Sequence, residues 1–266
     1  MFSGIMFSKM AFPARILEHL PAGVRWAQVE PEKSVLTLGY PELDAALPDG
    51  GLPRGAVVEL SVRGGAALAS SMALAACRTV HQQAELHGAD VPWCAFVDPL
   101  GSLFAPALER AGVESTRLLV VRPPADALAR VSSRLIESQA FAVVVVDTVG
   151  VPGVPLPVPL AHWSRVVRRL ATGVAGSDTV VVLISDAEAR RPLPWPVALR
   201  LELRRARFQE VSLRVTKDRQ GRVGSWQTIA WSRAANPEFA PRSTRPPLDE
   251  VSLVDSSVPS VLLGAG

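Results

Sequence analysis

Five apolar runs of strand length recur along the chain: AVVEL (56–60), WCAFV (93–97), LLVV (118–121), AVVVVD (142–147) and TVVVLI (179–184). Because they are apolar almost throughout, they predict strands covered on both faces. Helical patterns near 67–86, 102–111, 125–138 and 160–172 fill the intervals, and such regular alternation predicts an α/β fold, a mostly parallel central sheet flanked by helices. In the first of these helices Met72, Ala76 and Val80 recur every four residues and form a core-facing stripe. After residue 198 the pattern switches to strict alternation, predicting three strands with turns near Ala206 and Gln220-Gly221 as an antiparallel C-terminal extension. The chain therefore divides into an N-terminal segment (1–34) compatible with a helix and an extended arm, a core domain (35–235) and a flexible Pro/Ser-containing tail (236–266). Within that tail VSLVDSSVPSVLLG carries enough apolar residues for a short docking segment.

Composition narrows the class. The 266 residues are 48% hydrophobic and 20% charged, ordinary for one folded domain with loose ends. Of 28 basic residues only Lys9, Lys33 and Lys217 are lysines, leaving 25 arginines. Arginine suits interfaces and phosphates, although biased codon usage accounts for the excess equally well. Cys77 and Cys94 lack CxxC spacing and His19, His81, His87 and His162 form no ligand pattern, so neither a metal site nor a disulfide framework is predicted. Lys9 interrupts the apolar start after eight residues, which argues against a signal peptide, and no run is long enough to cross a bilayer. A reducing cytoplasm and no membrane contact are the expectation.

The stretch VRGGAALASSMALAA (62–76) lies between a strand and a helix, where an α/β protein cradles phosphate. Such a loop needs backbone amides, a lysine for the outer phosphates and a hydroxyl for Mg²⁺. Arg63, Gly64, Gly65, Ser70 and Ser71 supply parts of that set, and no lysine occurs between Lys33 and Lys217.

The segment LTLGYPELDAALPDGGLPRGAVVEL (36–60) resembles the opening of the RecA-type recombinase core: a strand, a short helix with Leu43-Asp44, then Gly50-Gly51-Leu52-Pro53-Arg54-Gly55 leading into the first core strand. CAFVDPLGSLFAPALERAGVESTRLLVVRP is similar to the second core strand and helix, and FAVVVVDTVG to the Walker B strand, with Asp147 in the metal-side position. The resemblance spans roughly residues 35–232 and implies a RecA-like fold. It also locates what is missing. The family's phosphate lysine falls on Leu68 or Ala69, its catalytic glutamate on Leu100 and its phosphate-sensing glutamine on Asp186. Phosphoryl transfer runs on positioning and charge neutralisation, so a vestigial nucleotide site with no bound cofactor and no catalytic residue is expected. Asp147 is then expected to be a strand-end residue satisfied by helix N-termini.

The DNA loops of that core are reduced as well. VGVPGVPLPVPLA (149–161) carries no charge, and within DAEARRPLPWPVA (186–198) only Arg190, Arg191 and Trp195 offer contacts to single-stranded DNA, with capping of a sheet edge as the structural alternative. Seven basic residues stand between Arg204 and Arg222. By the resemblance, VTKDR lies on the strand that reaches across a subunit boundary in RecA filaments, which makes Arg204, Arg205, Arg214, Lys217 and Arg219 candidate partner-binding residues; a solvated strand face is the plainer reading. A RecA-like core with these losses looks like the ImuA family, grouped with SulA-like proteins. That resemblance implies an accessory role in SOS-response translesion synthesis, with RecA, the Y-family-like ImuB and an error-prone C-family polymerase as partners and direct DNA binding open. An active RecA-type ATPase or recombinase and a SulA-like division inhibitor remain the other classes.

Overall fold

All seven side chains of the central strand are buried, and the fold is built outward from it. The computed structural model describes residues 34–63, 67–150, 156, 163–187, 195–207 and 210–230. The N-terminal segment up to residue 33 and the tail from 231 onward lie outside the described residues. In chain order the elements are β1 (Val35–Leu36), α1 (Pro41–Ala45), β2 (Leu52–Pro53), β3 (Ala56–Val62), α2 (Ala67–Leu86), β4 (Trp93–Val97), α3 (Ala105–Ala111), β5 (Leu118–Val121), α4 (Leu128–Glu137), β6 (Phe141–Asp147), α5 (Ser164–Val174), β7 (Val180–Asp186), β8 (Leu199–Arg207), β9 (Glu210–Asp218) and β10 (Gln227–Ala230). Strands β3 to β10 form an eight-stranded sheet in the order β10-β9-β8-β3-β7-β6-β4-β5, and β1 pairs with β2 separately. This is the RecA-like α/β architecture, a mostly parallel sheet with flanking helices.

Alternation along each strand sorts the core into two layers. Val58, Leu60, Cys94, Phe96, Val143 and Val145 point to one face, where Met72, Ala76, Cys77 and Val80 of α2 cover them. Val57, Ala95, Val97, Val144 and Val146 point to the other, under Leu128 and Ile136 of α4 and Val167, Leu170 and Val174 of α5. The runs lack polar alternation because both faces need apolar cover.

Three boundaries differ from the sequence pattern. The antiparallel extension begins one strand later than expected, since β8 runs parallel to β3 and only β9 reverses direction. Helix α3 starts at Ala105 rather than near 102, because the backbone amides of Ser102 and Leu103 donate to the Asp98 carboxylate and are drawn out of the helix. The stretch expected as one helix from 125 opens as a 3₁₀ turn, Ala125–Ala127, before α4.

The opening segment is fastened by side chains. Asp44 accepts the backbone amides of Leu38, Gly39 and Tyr40 at 2.7, 3.1 and 3.2 Å, folding the chain into α1. Burial pushes its carboxyl up from the usual range, and those three amides oppose the rise. Arg54 donates to the carbonyls of Val35 and Asp178 and to Gln83 Oε1. Gly55 has a φ of 61° and a Cβ there would stand 2.7 Å from the Ser177 carbonyl oxygen, so no other residue fits. Arg222 then clamps the end of the sheet to this segment, with two 2.7 Å bonds to Asp49 and one of 2.8 Å to Asp218.

Two outcomes follow for stability. Gly55→Ala combines a left-handed backbone with a clash and is expected to lower stability by roughly 2 kcal/mol or more in denaturant titration. Arg222→Ala is expected to cost about 1–2 kcal/mol at pH 7. Hydrogen bonds from Arg222 hold the Asp218 carboxyl below its ordinary range. Its contribution is therefore present above the unfolded carboxylate pKa of about 3.9 and lost as pH falls through the lowered folded value. Melting curves of wild type and Arg222→Ala should accordingly converge in acid.

Candidate functional site

Strands β3, β4, β6 and β7 are parallel, so their C-terminal ends gather at one edge of the sheet, where α/β proteins place ligands. Arg63 follows β3 and is exposed, while Gly64 and Gly65 lie outside the described residues. Ser70 and Ser71 occupy the first turns of α2, Ser70 half-buried and Ser71 exposed. At the end of β7, Asp186 pairs in register with Val62, immediately before Arg63. An acid thus stands beside the start of the loop that would receive phosphate, and like charges at that range repel.

Two carboxylates close the same edge, and both are fully buried. Asp147 Oδ1 accepts the backbone amides of Val149 and Gly150 at 2.8 and 2.9 Å, and its Oδ2 lies 2.9 Å from Ser102 Oγ. The expectation that helix N-termini satisfy Asp147 is corrected: its partners are the turn that follows it and a serine hydroxyl, because β6 ends in that turn before any helix begins. Asp98 Oδ1 accepts the Ser102 amide at 2.7 Å and lies 3.0 Å from its hydroxyl; Oδ2 accepts the Leu103 amide, with Arg122 Nε at 3.7 Å. The Ser102 hydroxyl bridges two acids 49 residues apart. Two residues past Asp98, Leu100 packs onto Gly150, where a Cβ would come within 2.3 Å of Leu100 Cδ1. An apolar side chain therefore covers the turn that Asp147 organises. Asp98 and Ser102 were not singled out in the sequence; an acid closing an apolar strand four residues before a serine is a turn-capping signal that marks them.

Loop 188–194 carries Arg190 and Arg191 outside the described residues. Trp195 is 1% exposed and its ring centroid lies 6.3 Å from that of Trp163. It cannot stack on a nucleobase, and that expectation is corrected: the large ring is consumed by the second core layer.

Beyond β3, among the described residues, the sheet keeps apolar cover on one face only. The polar face begins at Glu59, which is 2% exposed and binds Arg200 and Ser185 Oγ, both at 2.6 Å. The basic residues of this wing divide into two groups. Lys217 donates to the Trp195 carbonyl at 2.9 Å, and burial followed by the nearby Arg200 charge lowers its pKa. Arg214 pairs with Glu202, and Arg204 and Arg214 lie 4.2 and 4.8 Å from the Trp226 ring centroid. Arg205 and Arg219 are exposed. The five candidates share the wing but not one environment: Lys217 is half-buried with its ammonium on a backbone carbonyl, while Arg205 and Arg219 are exposed. Among the described residues no group of three or more His, Cys, Asp or Glu is placed to hold a metal, and no helix is long and apolar enough to cross a membrane.

No protein-family model matches the chain. Among curated proteins it is similar to RecA of Rhizobium rhizogenes, 29% identical over 167 residues that cover 58% of this chain and 44% of that protein. It is 28% identical over 229 residues to RecA of Rhodospirillum centenum, covering 76% and 59%, and 26% identical over 220 residues to RecA of Chelativorans, covering 73% and 57%. The chain spans about half the length of the curated relatives it matches. Sequence similarity and sheet order together give it a RecA-like core.

Proposed function

We propose that this chain is a non-catalytic, RecA-like accessory protein that acts by binding other proteins. The observation that carries the reading is the edge of the sheet around Asp147. Its two buried acids are bound to Ser102 and to neighbouring amides, Leu100 lies over the following turn, Asp186 stands beside the phosphate-loop position, and no lysine exists between residues 33 and 217. Transfer of a phosphoryl group needs a cation held on the outer phosphates, and the phosphate-loop stretch has only Arg63, with Asp186 beside it. A RecA-type ATPase is the poorer reading for that reason.

In this proposal the partners are RecA and, following the resemblance to the ImuA family, the Y-family-like ImuB and an error-prone C-family polymerase in the SOS response to DNA damage. The RecA contact is assigned to the β8–β10 wing. Residues 199–230 hold eight basic and three acidic side chains, Glu202, Glu210 and Asp218, in a chain whose net charge is only +3. Exposed charge of one sign steers an oppositely charged partner and sets specificity. Arg205 and Arg219 supply the outward charge, with Arg204, Trp226 and Arg214 as a supported rim.

Titration calorimetry with ATP and Mg²⁺ is expected to show no binding tighter than about millimolar, some −4 kcal/mol. Micromolar affinity, or turnover abolished by Asp147→Ala, would overturn the non-catalytic reading. The double reversal Arg205→Glu/Arg219→Glu is expected to weaken RecA binding about tenfold or more with an unchanged melting temperature, since exposed charges contribute little to stability. Lys217→Glu is expected instead to lower the melting temperature, because it removes the bond to Trp195. If the double variant binds RecA normally but loses single-stranded DNA in a salt-dependent way, the wing is a nucleic-acid surface and the RecA assignment fails.

A further inference from the structure

We propose that the cavity between α2 and α3 binds a compact organic oxyanion, an apolar body that carries one carboxylate or phosphate group. The cavity measures about 280 Å³, at the small end for ligand pockets. Its α2 wall comes from residues 71, 74, 75 and 78, spaced i, i+3, i+4 and i+7 and therefore on one side of the helix. Ala107 and Arg110 of α3 line the opposite wall, and Tyr40, the residue before α1, completes it. Asp98, Asp147 and Asp186 do not line it, so it is separate from the edge described above.

The lining is rich in donors. Arg78 and Arg110 bring two guanidinium groups, each with five N–H donors and no acceptor, and Tyr40 and Ser71 add hydroxyls. No Asp or Glu is among the described residues that line it. The two cations differ in depth: Arg78 is 5% exposed, whereas Arg110 is exposed in the last turn of α3. Leu74, Ala75 and Ala107 supply carbon to the walls. Charge at the buried end, charge at the open end and small apolar walls suit a ligand that is part anion and part hydrocarbon. A bare inorganic ion would leave those walls facing water.

The fold sets the position of Arg78 in advance. Its Nη1 donates to Tyr40 Oη at 3.3 Å and its Nη2 to the Leu38 carbonyl at 3.0 Å, and the guanidinium lies 4.8 Å from the Tyr40 ring centroid. The stem of the side chain passes Gly112, where an added Cβ would stand 3.3 Å from Arg78 Cδ. Asp44 organises the segment that carries Tyr40, and its charge reaches Arg78. The Asp44 carboxylate is nonetheless bound to three backbone amides and does not line the cavity. A guanidinium held in this way loses little freedom when a ligand binds, and its planar fork matches the oxygens of a carboxylate or phosphate.

The test is titration calorimetry of the folded full-length chain at pH 7 with benzoate, phenyl phosphate, inorganic phosphate and benzyl alcohol. Benzoate or phenyl phosphate is expected to bind with a Kd of roughly 0.1–1 mM, and the tighter of the two identifies the headgroup. Inorganic phosphate lacks the apolar body and benzyl alcohol lacks the charge, so each should bind about tenfold more weakly or worse. Arg110→Gln is expected to weaken the tighter anion about tenfold with an unchanged melting temperature, because the side chain is exposed. Ala107→Leu fills the space and should abolish binding while the circular dichroism spectrum stays native. No anion binding at about 10 mM, equal affinity for benzyl alcohol, or an affinity that both variants leave unchanged would each overturn the proposal. Adenosine binding more tightly than either anion, and lost in Ala107→Leu, would overturn it too, since the cavity would then be a base pocket.

Discussion

Burying both faces of β3 forces the other choices in this fold. Its side chains alternate between two apolar layers, so helices must cover both sides, yet Glu59 lies in the same strand with almost no exposure. A carboxylate in that position needs partners, since unpaired burial of a charge is among the most costly defects a core can hold. Ser185 on β7 and Arg200 on β8 supply them from the two neighbouring strands. The pair marks the place where the sheet changes character. On the β7 side both faces are apolar; on the β8 side the face that carries Glu59 turns polar, which is why the last strands can hold Arg204, Arg214 and Lys217.

The polar edge above the parallel strands obeys the same rule. Asp98 and Asp147 are buried acids from different strands, and both are satisfied within the chain by amides and by one bridging hydroxyl. Leu100 covers the adjoining turn through contact with Gly150, which must be glycine both for its φ of 66° and for lack of space. The edge is thus held together as a piece of scaffold. Asp186 stands beside the phosphate-loop position and Leu100 lies over the neighbouring turn, and the proposed role as a binding protein moves function from this edge to the wing.

In the wing, charge and aromatic area hold the fold together. Arg222 joins the strand end to Asp49 near the start of the core, Lys217 secures the carbonyl that precedes Pro196, and Trp226 lies against two arginines. Such anchoring limits side-chain motion, and a surface of fixed cations loses less entropy on meeting a partner.

The strand positions, the helix between residues 67 and 86 and the switch to alternation after residue 198 were legible from the sequence alone. Period and apolarity are local properties and survive without knowledge of neighbours. The absent lysine was legible for the same reason, because no register can supply a residue that the chain lacks. Other features depended on which distant segments meet. Charge counting could not separate Lys217, turned to a backbone carbonyl, from exposed Arg219, nor tell that Trp195 belongs to the core. Ser102 gains its role only when β4 and β6 lie side by side and bring Asp98 and Asp147 to one hydroxyl. The sequence by itself determined which segments form strands and helices and which residue types are absent; the tertiary structure decided which charges are paired inside the fold and which stay exposed, because that depends on distances between residues that the chain order does not encode.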